Sequence, residues 1–237
     1  MVFEMCICYE HILICTNIRL ELQRAANETN YGNQGLVVVH AAMAREDGVV
    51  PFDSGLRNKA GAGVENIGIS NSKCDDPDNQ CVNVTMYSLD TYINKFIPKD
   101  MTINYLSVDV EGWDYNVLMG GQHHALERVH YLEFEYNWIV PWKDQSLKDL
   151  IELLDTKFGF TCYFAGFDET IWRITGCWLD HYNVHTWSNV ACVNRNYDEV
   201  YDIAYEMERM YKATIEKGND GLRDFEHRKQ VAVNPNI

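Results

Sequence analysis

Strand-like and helix-like apolar periodicities alternate along most of these 237 residues, which predicts an α/β fold with a mostly parallel sheet covered on both faces. Two stretches support it. Leu36-Val37-Val38-Val39-His40-Ala41-Ala42 is apolar almost without a break, as strands buried on both faces are. The run Ile103-Asn104-Tyr105-Leu106-Ser107-Val108-Asp109-Val110-Glu111-Gly112 is an apolar strand that ends on two acids and a glycine. In open α/β sheets ligands bind beyond the carboxyl ends of the strands, so Asp109 and Glu111 stand where a site is expected; a solvated turn is the plainer alternative.

The elements follow in order. Residues 1–8 read as a strand, and a helix follows through Ile12, Leu13, Ile18, Leu20, Leu22 and Ala25. Residues 30–35 break the chain before the valine-rich strand at 36–42. From residue 45 to 80 the composition turns polar and glycine-rich, which reads as an excursion, its polar insertion placed at about 53–80. A strand at 82–87 leads to Ser88, a suitable N-cap for a short helix through Thr91, Tyr92, Ile93 and Phe96 that Pro98 stops.

After the acidic strand, residues 113–119 form a helical turn or two, and Gly120-Gly121 can supply a left-handed helix end. Residues 129–136 are the next strand. Leu147, Leu150, Ile151, Leu154 and Phe158 share one face of a helix that ends at Gly159. Residues 160–164 and 170–174 then pair antiparallel, and 189–193 form the last strand. Asn196 with Glu199 reads as a capping box for a long helix through Val200, Ile203, Met207, Met210 and Ile215, closed by Gly218. This predicts a single domain over residues 1–218 with a loose polar tail at 219–237.

Asp+Glu number 35 against Lys+Arg 20, a formal net charge of -15, and so acidic a surface repels phosphate backbones and anionic lipid. Neither nucleic acid nor a membrane surface is an expected partner. Residues 1–15 are apolar but interrupted by Glu4, Glu10 and His11, with no basic leader and no small-residue cleavage site. They read as neither signal peptide nor membrane span, and the expected location is cytoplasmic. The eight cysteines show no paired C-x-x-C spacing, so free thiols are expected rather than zinc, with Cys74 and Cys81 as the one candidate disulfide. Asn27-Glu28-Thr29 and Asn83-Val84-Thr85 match the N-glycosylation pattern, which chance also produces.

Asp109 and Glu111 lie two apart, on one side of an extended chain, and a partly buried carboxylate needs donors, a metal or a ligand. In the following strand Tyr131, Glu133 and Glu135 share a face; Glu135, nearer the carboxyl end, is the better site candidate, and Glu133 reads equally well as a core carboxylate paired with an arginine such as Arg173. His40, at the end of the valine strand, borders the same cleft. His123 and His124 read as a solvated helix start, and His181 with His185 has ligand spacing only if helical, so no metal is assigned. Trp172, Trp178 and Trp187 line either a substrate pocket or the core.

Val108-Asp109-Val110-Glu111-Gly112-Trp113-Asp114, then Val117-Leu118-Met119-Gly120-Gly121, then Tyr131-Leu132-Glu133-Phe134-Glu135, resembles the FkbM-type methyltransferases. Their pattern runs Asp-x-Glu-Gly, an acid two residues on, Val-Leu-x-Gly, and a strand ending in glutamate. Upstream, Tyr87-Ser88-Leu89-Asp90-Thr91-Tyr92 is similar to the family's Thr-Leu-Asp-x-Tyr segment, and Val2-Phe3-Glu4 with Asn17 to its phenylalanine-glutamate-proline stretch, Met5 replacing the proline. The resemblance covers roughly residues 1–137.

It implies a class I fold, a Rossmann-like three-layer sandwich whose mostly parallel sheet ends in an antiparallel strand pair, and S-adenosylmethionine as cofactor. It further implies that Glu4 accepts the ribose hydroxyls, that His40 and Ala41 lie by the adenine, and that Asp109 sits beside the methionine moiety and the methyl path. Glu111 then opens the substrate side. The implied reaction is O-methylation of a small-molecule or sugar hydroxyl, with Asp109, Glu111, Glu135 or His40 as base. No Gly-x-Gly follows an early strand, and Gly61-Ala62-Gly63 falls in the polar excursion, so the sequence reads as lacking the family's first strand and its glycine-rich loop. Two other functions compete. Asp-x-Glu after an apolar strand is also how metal-dependent glycosyltransferases hold a nucleotide sugar, and a domain without its first strand suits a non-catalytic interaction module.

Overall fold

The computed structural model describes residues 4–8, 28, 39, 41–53, 81–110, 112–138, 142–166, 170–176, 178–183, 185 and 187–217. The helix expected over residues 12–25, most of the valine-rich strand, Gly61 and Gly63, Cys74, Gly218 and the tail lie outside them.

Two sheets form. The larger has strands β1 (Glu4–Cys8), β5 (Ile103–Asp109), β6 (Val129–Tyr136), β7 (Phe160–Ala165), β8 (Ile171–Arg173) and β9 (Ser188–Asn194), in the order β1-β5-β6-β9-β7-β8. The smaller has β2 (Ala42–Ala44), β3 (Gly48–Asp53) and β4 (Cys81–Ser88), in the order β2-β4-β3. Among the described residues four helices of six or more residues accompany them: α1 (Leu89–Phe96), α2 (Asp114–Met119), α3 (Leu147–Phe158) and α4 (Tyr201–Glu216).

The α/β class is as expected, but the mostly parallel sheet is not. In the larger sheet only β5 and β6 are parallel neighbours; β1–β5, β6–β9, β7–β9 and β7–β8 are antiparallel. Apolar strands look alike whether a neighbour runs with or against them, because both arrangements can bury two faces. The directions still carry a pattern: β5, β6 and β7 run one way, and β9, reversed, is inserted between β6 and β7. In the smaller sheet β2–β4 is parallel and β3–β4 antiparallel.

β3 arises inside what reads as a polar excursion. Val49-Val50-Pro51-Phe52 is its apolar signal, and Pro51, which cannot donate to a ladder, is tolerated because β3 is an edge strand. β2 begins at Ala42, where the expected valine-rich strand ends.

Local chemistry explains the helices. Ser88 caps α1 by accepting from the Thr91 N–H at 3.2 Å, and Asp47 accepts from the Ser88 N–H and the Thr91 hydroxyl, which ties the β2–β3 turn to that helix start. Ser146 caps α3, whose buried face is Leu147, Leu150, Ile151, Leu154 and Phe158, as the spacing predicts; Gly159, at φ 78°, ends it in the left-handed conformation. α4 departs from expectation. Asn196 does not cap it; its side-chain amide donates to the Phe158 carbonyl at the end of α3, and α4 starts after a 3-10 turn with no side-chain cap. What docks α4 is Glu208, which accepts from the Tyr163 hydroxyl at 2.6 Å and from Arg173 at 3.0 Å.

The main core lies between the larger sheet and α1, α2 and α3, with Leu106, Val108, Leu118, Leu132, Phe134, Leu154 and Trp142 fully or almost fully buried. A smaller cluster of Tyr163, Val193, Val200 and Met207 sits under α4 on the other face. Cys162 and Cys192, directly opposite each other on β7 and β9, form a disulfide inside the main core. The expectation of free thiols is thereby corrected: i and j positions of two strands far apart in sequence met by sheet pairing, which spacing alone does not reveal. Cys81 lies in β4, and its suggested partner Cys74 is outside the described residues. Among the described residues no helix is long and apolar enough to cross a membrane.

Candidate functional site

The parallel pair β5–β6 places Val108 beside Phe134, so the next residues, Asp109 at the end of β5 and Glu135 near the end of β6, come side by side at the carboxyl edge. Asp109 is exposed there, and Glu135 is buried at 5% exposure. The chain then turns through Gly112, whose φ of 93° only glycine takes without strain, and enters α2 at Asp114. Asp114 is the residue that joins the two strands. Fully buried, it accepts from the Gly112 N–H at 3.1 Å and from the Glu135 N–H at 3.2 Å, binding the β5–α2 turn to the end of β6.

The electrostatics of this cluster are acidic. Burial pushes the Asp114 carboxyl well above the usual carboxylate range; the N–H groups of Asp114 itself and of Glu135 oppose that shift, and the charges of Glu135 and Asp109 reinforce it. Glu135 accepts from the Asn137 amide at 2.8 Å, and its carbonyl accepts from the Trp142 indole N–H at 3.1 Å. Asn137 is itself fully buried. The edge is therefore a buried, hydrogen-bonded floor of Asp114, Glu135 and Asn137 with the exposed Asp109 beside it.

A second buried acid is structural. Asp90, in the Leu-Asp-x-Tyr segment, accepts from the backbone N–H groups of His123, His124 and Ala125, holding the turn after α2 against the start of α1. Gly120 and Gly121 serve that same junction. Gly120 has a right-handed φ of -69°, so the expected left-handed helix end is not formed there. A Cβ at Gly120 would run into the Ala44 backbone carbonyl, so close packing demands that glycine, whereas one at Gly121 would press on the end of the Leu89 side chain at 2.8 Å. His123 and His124 are exposed in this turn rather than at a helix start.

The other expected site residues divide. Glu4 stands opposite Asp109 in the β1–β5 register, so its backbone reaches the same edge. Ala41 is buried and immediately precedes β2, a strand of the smaller sheet and not of the one that holds β5 and β6. Glu111 and His40 lie outside the described residues. Glu133 does not pair with Arg173; it accepts from the Tyr105 hydroxyl at 2.9 Å and from Asn189 at 3.3 Å, because β5 and β9 flank it, while Arg173 pairs with Glu208. His185 binds the Trp142 carbonyl with Nε2 and has φ 45°, and among the described residues no three potential metal ligands converge. Trp172 and Trp178 pack against the core, whereas Trp187 is 55% exposed beside Trp138. Asp114 is the site residue that sequence reasoning left unassigned. Its signal was its position, two residues after Gly112, where a chain folding back from β5 must meet the end of β6.

An α/β domain with a carboxylate cluster at the carboxyl edge of a parallel strand pair defines a ligand-binding class of fold rather than one reaction. The methyltransferase FkbM domain model matches residues 15–162, well over half of the chain, and the chain belongs to that family. The match runs from before β2 into β7, so the carboxyl-edge cluster lies inside it, and β8, β9 and α4 lie beyond it. No curated protein and no solved structure shows significant similarity to the chain.

Proposed function

We propose that this chain is an S-adenosylmethionine-dependent methyltransferase that transfers a methyl group to a hydroxyl of a small molecule or sugar, as one domain over residues 1–218. The observation that carries the reading is the Asp114 bridge between Gly112 and Glu135, which builds an acidic, preorganised edge within the FkbM match. The direction pattern, three strands running one way with a reversed strand inserted between the last two, supports a class I sheet.

The donor set fits the cofactor's charge. S-adenosylmethionine supplies an activated methyl on a positively charged sulfur, and carboxylates with limited access to water favour a cation beside them. Glu4 is assigned to the ribose hydroxyls and His40 and Ala41 to the adenine side. Asp109, exposed at the strand end, faces the methyl path and takes the acceptor proton, with Glu111 on the substrate side. Glu135, clamped by Asn137, holds the floor on which the acceptor hydroxyl is oriented toward the methyl carbon.

Calorimetry against S-adenosylhomocysteine tests the reading. Micromolar binding is expected, and a well-folded sample that does not bind overturns it. With an acceptor in hand, Asp109→Asn is expected to lower kcat by about 10²-fold or more while leaving product affinity within a few-fold.

A further inference from the structure

We propose that this protein is an N-glycoprotein that matures in an oxidising compartment, with Asn83 as a glycan attachment site and Cys162–Cys192 as its structural disulfide.

Two independent observations meet here. Cys162 and Cys192 are cross-strand partners on β7 and β9, both 0% exposed, with Cα atoms 4.0 Å apart. Disulfides of this structural kind persist in secretory and extracellular environments and are rare where glutathione and thioredoxin keep thiols reduced. The second observation is the glycosylation pattern Asn83-Val84-Thr85 on β4. Asn83 and Thr85 are exposed and Val84 is buried at 5% exposure, so strand alternation turns both the acceptor amide and the hydroxyl to solvent. Among the described residues Asn83 is the one asparagine in such a pattern. Asn27, the other in the sequence, lies outside them.

The chemistry balances with the machinery of that compartment. The two thiols give up two protons and two electrons to the disulfide of a protein oxidoreductase, which is left as a dithiol. Because the bond is enclosed between the sheet and α3, it has to form before that helix closes over β7. At Asn83 the side-chain nitrogen attacks the anomeric carbon of an oligosaccharide carried on a polyprenyl diphosphate. The N–C bond forms, the C–O bond to the diphosphate breaks, and the amide proton passes to a carboxylate of the transferring enzyme. The exposed face of β4 leaves room for the sugar without displacing a core residue.

Peptide mapping of the protein isolated from the cells that make it, denatured in a thiol-blocking reagent, tests both parts. The expected result is a peptide pair joined through Cys162 and Cys192 and a glycosylated Asn83 peptide that an amide-cleaving glycosidase releases with aspartate at position 83. Asn83→Gln removes one glycan's electrophoretic shift, Thr85→Ala does the same, and Thr85→Ser retains it; a shift attached to Asn27 persists in all three. Blocked thiols at both Cys162 and Cys192, or an unmodified Asn83 peptide from the mature protein, overturn the proposal.

Discussion

At the scale of single residues, the buried acids divide the labour. Asp90 satisfies three backbone donors at one junction, so Asp90→Ala leaves the N–H groups of His123, His124 and Ala125 without that partner, one of them buried. A loss of about 3–5 kcal/mol in denaturant unfolding is expected, with Asp90→Asn intermediate because one accepting oxygen remains. Asp114 has a different signature. Burial holds its pKa in the folded chain well above the usual carboxylate value, so the native state holds this proton more tightly than the unfolded chain does. The stability it contributes is complete below that value and is lost as pH rises through the folded-state pKa. Asp114→Asn removes the titration and one of the two accepted bonds. The variant is expected to be less stable at low pH by about 1–3 kcal/mol, and the gap to wild type should narrow as pH rises; a gap that widens with pH in urea titrations contradicts the assignment.

Between elements, the close approach of α2 to β2 is set by one missing methyl. Gly120→Ala places a Cβ against the Ala44 backbone carbonyl, which has no flexible end to move aside, and the helix has to lift. A cost of about 1–3 kcal/mol is expected, together with weaker S-adenosylhomocysteine binding, since α2 carries Asp114. α4 depends on polar docking as well as on Met207. Burial pushes the Glu208 carboxyl up, but donation from Tyr163 and Arg173 outweighs it and holds the group below its ordinary value. The stability from that contact is therefore present above the ordinary Glu range and is lost as pH falls through the depressed value. Glu208→Gln should remove the acid-side loss at α4, read by hydrogen exchange of its amides.

For the molecule as a whole, the Cys162–Cys192 bond closes a loop of 30 residues containing β8 and the Trp178–Trp187 segment. Chain-entropy reasoning assigns such a closure about 3–4 kcal/mol, so reduction in mild denaturant should lower the unfolding midpoint markedly. The paired variant Cys162→Ala with Cys192→Ala should be insensitive to reductant. An unchanged midpoint for reduced wild type speaks against a bond in the native core. The acidity of the chain, net -15, acts at this scale too: it adds a repulsive field for anions around an edge already lined with carboxylates.

Much of this was legible in the order of the residues because it depends on local rules. Ser88 before Leu89 is a cap by its own chemistry, Gly159 ends α3 where the apolar stripe stops, and the Asp109-to-Glu135 pattern carries the FkbM resemblance that the family match bears out. What depends on distant partners was not. Strand direction in the larger sheet, the edge strand β3 around Pro51, the pairing of Arg173 with Glu208 instead of Glu133, and Asn196 binding the end of α3 were all decided by which segments met in space. The sequence by itself determined the α/β class, the helix limits set by capping and the acidic strand ends. Only the tertiary structure decided that Asp114 is the joint of the site and that Cys162 faces Cys192, because a buried bridge between segments exists only once the sheet has brought its ends together.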